Sequence, residues 1–247
     1  EPSAVGVFVH ELGHQFGARH TFNGTAGNCS GSNRSGLTGR EVGSGSTIMS
    51  YVSICQTDNI AFVRDLRFHN GSFREILTNL ASNGACATLS NTGNNPPNVS
   101  AGADFTIPKN TPFTLTATAS DPDPADAGTL TYSWEQVDSG STAYFQDGTE
   151  ATYNDALDTA ATTRPIFRPF APNTSLTRTF PSLTYILNNA NDPPQFNGSF
   201  ETAEELPRIG RTVNFRFTAR DNRANGGGVT DDSMVLTVDN NSGPFLV

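Results

Sequence analysis

Four residues near the N-terminus have the types and spacing of a metal centre: His10, Glu11, His14 and His20. Residues four apart on a helix project from the same side, so two of these imidazoles can approach one ion. Three neutral imidazoles suit zinc and leave a fourth coordination position open, which is typical of catalytic zinc sites. The chain has 4 histidines, and three of them fall within this motif. We predict that His10, His14 and His20 bind Zn²⁺.

Glu11 is the predicted catalytic residue of this motif. On the adjoining face of the same helix, its carboxylate can reach a zinc-bound water without binding the metal itself. Zinc lowers the pKa of such a water from 15.7 towards about 7, so a weakly basic carboxylate suffices as general base. The protonated Glu11 can then pass its proton to a leaving amine. The expected reaction is hydrolysis of an amide bond, and a zinc site without catalysis is the alternative.

A helix and a sharp turn must position these residues. Apolar residues recur at helical spacing and predict a helix over residues 2–16; they are Val5, Phe8, Val9, Leu12 and Phe16. Gly17 accepts the left-handed conformation of a helix end, which lets His20 fold back towards the first two histidines. The stretch from 23 to 46 is rich in Gly, Ser, Asn and Thr and is predicted to be a surface loop.

A second motif, Ser46-Thr-Ile-Met49-Ser-Tyr51, follows about thirty residues later. The long H-E-x-x-H-x-x-G-x-x-H motif with a Met-containing turn resembles the metzincin metalloproteases. The Gly-Ser-Gly-Ser-Thr-Ile-Met-Ser-Tyr segment looks most like the bacterial reprolysin-like branch, and the similarity covers residues 1 to about 90. The resemblance implies a secreted zinc endopeptidase that acts on proteins or peptides. It also implies that Met49 forms an apolar floor beneath the zinc ligands.

The same resemblance implies that part of the catalytic domain precedes this chain, so we interpret the chain as an N-terminally truncated fragment. For Tyr51 it leaves two roles open. In the astacin and serralysin branches the tyrosine of Met-x-Tyr binds zinc and stabilises the oxyanion, whereas animal reprolysins lack it. Tyr51 is therefore predicted either to act in the transition state or to be an ordinary packed tyrosine.

Two other classes of function remain open. In the first, a binding or adhesion protein acts through its C-terminal part, and the metal site is a relic. In the second, a zinc hydrolase cleaves amides other than peptides. The long motif with a Met-turn argues against the second, because that combination resembles peptidases.

The chain divides into three predicted parts: the end of an α+β catalytic domain (1–88), a linker (89–98) and an accessory domain (99–247). A closing helix over residues 72–82 is predicted from the capping box formed by Ser72 and Glu75, with Asn83-Gly84 as its end. The linker is polar and contains two adjacent prolines.

The C-terminal part alternates apolar and polar residues with a period of two, which predicts half-buried strands around 113–119, 130–134, 213–219 and 234–238. This pattern favours an antiparallel sandwich that resembles an immunoglobulin-like domain, with Trp134 in its core. About 150 residues exceed the roughly 100 of such a domain, so a long insertion is predicted between 139 and 207.

Carboxylates and cysteines supply the weaker predictions. Asp121, Asp123 and Asp126, with Asp221, Asp231 and Asp232, could bind Ca²⁺ at one end of the sandwich, or they could be solvated turns. A disulfide is predicted between Cys29 and Cys55, which leaves Cys86 for an upstream partner; three buried free thiols are the alternative. His69 is expected to be structural because the ligand set is complete without it.

Composition excludes several partners. The net charge is -9, Lys109 is the single lysine and no basic cluster occurs, so neither nucleic acid nor an anionic membrane is an expected partner. No apolar run reaches the roughly 20 residues of a membrane helix. An acidic, lysine-poor chain with cysteines is more typical of secreted proteins. Nothing in the sequence defines an oligomeric state.

Overall fold

A computed structural model of the chain describes residues 4–88, 90–140, 162–191 and 202–244. Residues 4–88, here called the metal-centre region, contain α1 (Ala4–Gln15) and α2 (Asn70–Asn83), joined by a long segment with short 3₁₀ turns. The described part of residues 98–244, the β-rich region, contains eight strands and a short helix, α3 (Leu183–Leu187). The described chain is thus a mixture of helices and sheets, with the sheets in its C-terminal part.

Helix α1 forms where the sequence predicts it, but its apolar stripe is not its buried face. Its buried residues are Gly6, His10 and Gly13. Val5 and Phe8 are more than half exposed among the described residues. The helix therefore turns the two histidines inward, and small glycines let the rest of the chain approach it closely.

The predicted surface loop over residues 23–46 is wrong from residue 41 onward. Every residue from 41 to 50 is buried. Small polar side chains permit this burial because they hydrogen-bond locally: Ser44 N donates to Asp58 O over 2.7 Å, and Ser50 Oγ donates to Thr47 O over 2.6 Å. The hydrophobic pattern misses such a segment because its interior is filled by hydrogen-bonded backbone.

Helix α2 begins two residues earlier than predicted, and the proposed capping box is wrong. The N-cap is His69, whose Nδ1 accepts a hydrogen bond from Gly71 N, so its expected structural role is confirmed. Asn70 N donates to Glu135 Oε2 in the β-rich region over 2.9 Å. The capping partner thus lies 65 residues away in sequence. Glu75 instead accepts from Arg19 N.

The strands form three sheets. A four-stranded sheet has the order β2-β8-β7-β5, in which β2 and β8 are parallel and the other pairs are antiparallel. Two antiparallel pairs, β1-β4 and β3-β6, accompany it. The strand bounds are β1 Asn98–Ser100, β2 Phe105–Pro108, β3 Phe113–Thr116, β4 Thr118–Ser120, β5 Thr131–Gln136, β6 Thr177–Phe180, β7 Arg211–Arg220 and β8 Val229–Asp239.

Strand β6 and helix α3 lie between residues 139 and 207, where an insertion is predicted, and β6 pairs with β3. Other parts of that predicted insertion, 141–161 and 192–201, lie outside the described residues. No helix in the described part of the chain combines the length and apolarity that crossing a membrane requires.

The two faces of the four-stranded sheet have different surroundings. One face joins a single aromatic-rich core that includes Trp134, Phe215 and Phe217, so the predicted core position of the tryptophan is confirmed. The other face is polar and carries Glu135 and Thr218, both fully buried. It packs against the start of α2, where Asn70 Nδ2 donates to Thr218 Oγ1 over 3.0 Å. The two regions therefore meet at a buried polar interface.

Candidate metal centre

The three predicted metal ligands converge. His14 Nε2 lies 3.1 Å from His20 Nε2, and His10 Nε2 lies 3.2 Å from the same atom. His10 is buried and the other two are half-buried. Among the described residues they form one of two groups whose ligand atoms come within 4.8 Å of one another.

A backbone carbonyl orients each ring from behind. The Nδ1 atoms of His10, His14 and His20 lie 2.7, 2.8 and 2.5 Å from the carbonyl oxygens of Ile48, Ala18 and Asn33, respectively. A carbonyl oxygen only accepts, so each Nδ1 carries the proton and each neutral Nε2 keeps a lone pair. This outer-shell arrangement is typical of metal-binding histidines.

The donor set fits a metal ion of the zinc type. The unprotonated Nε2 of His20 lies 3.2 and 3.1 Å from those of His10 and His14, and such lone pairs repel one another unless a cation lies between them. Ligands about 2.0–2.1 Å from a tetrahedral ion are separated by about 3.3 Å, close to the spacing found here. The three histidines could therefore hold a metal.

Electrostatics keep two of these rings neutral. Burial lowers the pKa of His10, and it lowers the pKa of His20 to about 4. The neighbouring histidines lower both values further. A ring that stays neutral at pH 7 offers its lone pair without first releasing a proton.

Met49 lies next to Gly13, the helical residue between His10 and His14. It is fully buried and packs with Ala18 and Ile48. A Cβ atom on Gly13, between His10 and His14, would come within 2.4 Å of Met49 Sδ, so a glycine is needed there. Its role as an apolar floor beneath the metal ligands stays a prediction.

Gly17 adopts the conformation that the sequence predicts. Its φ is +91°, in the left-handed region that favours glycine. Its N–H donates to His14 O over 3.0 Å, and Ala18 N donates to Gly13 O over 2.9 Å. These bonds end the helix and direct the chain back, so that His20 reaches the other two ligands.

Comparison with known proteins adds a family-level finding. Residues 1–63 match the model of the reprolysin-like metallopeptidase family M12B. The match covers about a quarter of the chain and includes all three histidines and the Met-turn. It supports a metallopeptidase at the level of the family. No curated protein and no solved structure matches the chain significantly.

Glu11 and Tyr51 lie near the three histidines. Glu11 is exposed, and its charge acts on His10, His20 and Tyr51. The Tyr51 ring is half-buried, with its centroid 4.6 Å from that of His20 and 5.9 Å from that of His10. Burial and the charge of Glu11 raise the pKa of Tyr51, which favours its protonated form.

Glu41 supports the site, although the sequence analysis does not identify it. Its buried carboxylate accepts hydrogen bonds from Ser46 N over 2.8 Å and from Thr47 N over 3.1 Å, at the start of the Met-turn. It also accepts from the hydroxyls of Thr47 and of Thr21, the residue after His20. One carboxylate therefore holds together the chain segments that carry His20 and Met49. No motif marks it, because its partners are defined only by the folded loop.

Glu135 connects the β-rich region to the metal ligands. Its fully buried carboxylate pairs with the Arg67 side chain. The Arg67 carbonyl accepts from Ile48 N over 2.9 Å, and the Ile48 carbonyl orients His10. Burial alone would raise the pKa of Glu135, but the charges of Arg67 and Arg220 help to hold it at about 2. No pattern in the sequence marks this role, because Arg67 and Glu135 lie far apart along the chain.

The disulfide prediction is confirmed, because Cys29 and Cys55 are bonded. The bond rules out the alternative of three free thiols. Cys86 is free and exposed, and its upstream partner stays a prediction. The disulfide ties the turn before Asn33, whose carbonyl holds His20, to the segment that follows Tyr51.

The acidic residues converge only in part. The carboxylates of Asp121, Asp123 and Asp126 come within 4.8 Å of one another. Arg223 Nη1 lies 3.3 Å from Asp123 and 3.2 Å from Asp126, so a cation of the protein itself already neutralises part of this cluster. A calcium site there stays a prediction.

The other predicted calcium ligands have different partners. Asp221 accepts hydrogen bonds from Gly228 N and from Asn94 Nδ2. Asp231 pairs with Arg216 and Arg74, and Asp232 accepts from Ala101 N over 2.9 Å. The expectation that Asp231 and Asp232 join one calcium site is therefore wrong; their oxygens are used to join strands and regions.

Proposed function

We propose that the chain is the zinc-binding part of a secreted endopeptidase that hydrolyses peptide bonds of proteins. The observation that carries this proposal is the convergence of three histidine Nε2 atoms. In each of these rings, Nδ1 is hydrogen-bonded to a backbone carbonyl. Neutral imidazoles favour zinc over calcium or magnesium, which prefer oxygen ligands. The match to a metallopeptidase family model supports the same reaction class.

A bound Zn²⁺ would supply a Lewis acid that polarises the substrate carbonyl and acidifies water. In the proposal, His10, His14 and His20 hold the ion and Met49 supports their rings. Glu11 accepts the proton of the attacking water and later donates it to the leaving amine. Tyr51, protonated and half-buried beside His20, is proposed to donate a hydrogen bond to the oxyanion.

The proposal extends to the compartment of the protein and to the C-terminal part of the chain. The Cys29–Cys55 disulfide supports an oxidising compartment outside the cytosol. The buried tryptophan and the antiparallel pairing of β5, β7 and β8 support an immunoglobulin-like interpretation of residues 99–247.

Zinc content and proteolysis of a casein substrate, measured on four purified proteins, test the proposal. The wild type is expected to hold one zinc per chain and to cleave the substrate. Glu11→Gln should keep the zinc and lose at least about 100-fold in rate, because only the general base is removed. His14→Ala should lose both. Gln15→Ala, on an exposed position of the same helix, is the matched control and should change neither.

The outcomes separate the two parts of the proposal. A wild type without zinc would contradict the metal site. Zinc binding with equal proteolysis by wild type and Glu11→Gln would contradict the assigned mechanism. Zinc binding without cleavage of any protein substrate would favour the binding-protein alternative.

A further inference from the structure

An open cleft of about 690 Å³ lies between the two regions, away from the converging histidine nitrogens. It is bounded by the end of the zinc motif, by the segment at 37–40, by α2 and by β7. Four arginines line it: Arg19, Arg40, Arg74 and Arg216. Glu75 is the acidic residue among its described lining residues. This concentration of positive charge stands out in a chain whose net charge is -9.

The charges of these arginines are unequally compensated. Arg216 and Arg74 both pair with Asp231. Glu75 Oε2 accepts a hydrogen bond from the backbone of Arg19. The lining residues and Asp231 together carry four positive and two negative charges, which leaves a formal excess of two.

Arg40 combines a buried guanidinium nitrogen with the lack of a partner. Its guanidinium makes no hydrogen bond to the described part of the chain, and its Nη1 is buried without a partner. Burial lowers the pKa of Arg40; Glu75 opposes this effect, while Arg74 and Arg216 add to it. A buried guanidinium nitrogen without an acceptor is unfavourable, so such groups in native proteins usually have a partner.

The backbone around Arg40 is arranged to keep its side chain in place. A Cβ atom on Gly71, in the first turn of α2, would lie 2.5 Å from Arg40 Nη1. Glycine at this position therefore leaves the space that the guanidinium occupies. An anion in the cleft would be attracted by this guanidinium and by the formal excess of two positive charges.

We propose that this cleft binds a ligand through a carboxylate or another oxyanion, with Arg40 as the primary contact and Arg19 as a second. A guanidinium fork matches the paired oxygens of such groups. The volume lies within the range of small-ligand pockets, so the cleft has room for a free oxyanion, a small acidic molecule or an acidic peptide side chain. The site does not depend on the metal proposal.

Isothermal titration calorimetry at low ionic strength tests the site with two probes. One is sulfate, and the other is an acetylated, amidated Glu-Glu dipeptide, compared with its Gln-Gln counterpart. We expect 1:1 binding of the acidic probes and none of the neutral dipeptide. Tighter binding of the dipeptide would identify a peptide carboxylate as the source of the anion, and tighter binding of sulfate would identify a free oxyanion.

Variants show where the probes bind. Arg40→Met should weaken binding by at least about tenfold, because a charge-assisted contact is lost. Arg19→Met, at an exposed position, should weaken it about threefold without affecting folding. Arg223→Met removes the same charge at the Asp123–Asp126 cluster and should leave binding unchanged. The proposal is overturned if neither probe binds, or if Arg223→Met weakens binding as much as Arg40→Met.

Discussion

The metal-centre region and the β-rich region are built on different kinds of interior. The β-rich region has one large apolar core that includes five phenylalanines and Trp134. In the described part of the metal-centre region, two buried apolar clusters contain three residues each, and in a third Val42 and Ile60 pack with Ala203 of the β-rich region. Its interior is filled instead by hydrogen-bonded groups such as Glu41, Ser44 and Thr47. Burial of apolar area stabilises the β-rich region, whereas the metal-centre region depends on satisfied polar groups and a disulfide.

This difference suits what each region does. Apolar packing tolerates small shifts of side chains, whereas a hydrogen bond weakens steeply with a poor angle. Three ligand rings must meet within a few tenths of an ångström, and polar networks fix such positions. The metal-centre region therefore gains geometric precision and depends on its surroundings for stability.

Truncation of the β-rich core should have the largest effect on folding. Phe215 is fully buried and contacts Phe113, Phe167 and Phe180. Phe215→Ala should lower the free energy of unfolding by about 3–5 kcal/mol, measured by urea denaturation. Zinc affinity of the folded variant should stay within about twofold of the wild type. A large loss of zinc affinity would show that the apolar core, rather than the polar network of the metal-centre region, positions the ligands.

The interface carboxylate should give a pH-dependent effect. Because the pKa of Glu135 is lowered from 4.5 to about 2, its contribution is present above pH 4.5 and is lost as the pH falls towards 2. Glu135→Gln should cost on the order of 3 kcal/mol at neutral pH and nothing near pH 2. Denaturation curves across this range, with a chelator in every sample, measure it. A pH-independent loss would mean that shape rather than charge matters there.

The carboxylate beneath the Met-turn should link stability to the metal. In Glu41→Gln an amide N–H₂ faces the N–H groups of Ser46 and Thr47, so we expect a loss of about 2 kcal/mol in unfolding free energy. Zinc affinity should fall about tenfold, as when other outer-shell partners are removed. Competition with a zinc-binding dye measures this loss. Glu75→Gln is the matched control, and an equal effect there would contradict a specific role for Glu41.

The most exposed ion pair of the interface should matter least. The Arg74 side chain is 52% exposed, and it lies 3.3 Å from Asp231. Arg74→Ala should change the unfolding free energy by less than about 1 kcal/mol, because exposed pairs gain little over hydration. A loss as large as that of Glu135→Gln would show that the outer rim, rather than the buried centre, joins the two regions.

The sequence predicts best what local chemistry determines. His10 and His14 are four residues apart on a helix, Gly17 needs a positive φ, and both features follow from short-range geometry. Trp134 follows from alternation along a strand. Contacts between distant segments leave no such pattern, so the roles of Glu41 and Glu135 and the start of α2 at Asn70 emerge only from the folded chain.

The period-two alternation also misleads about the second face of the sheet. Thr218 alternates with apolar residues and is expected to face solvent, yet it is fully buried against Asn70. A polar residue facing water and one facing a polar interface give the same pattern. The predicted accessory role of the β-rich region therefore understates its contact with the metal-centre region.

The Cys29–Cys55 bond has a consequence for survival in a proteolytic environment. Gly31, Asn33 and Leu37 are exposed, so the backbone between the two cysteines presents cleavable peptide bonds. A cut there separates the N-terminal segment, which carries the three histidines, from the segment that carries Met49 and Tyr51. Because one cysteine lies on each side of the cut, the two pieces stay covalently joined. The nicked molecule therefore retains every group of its metal centre.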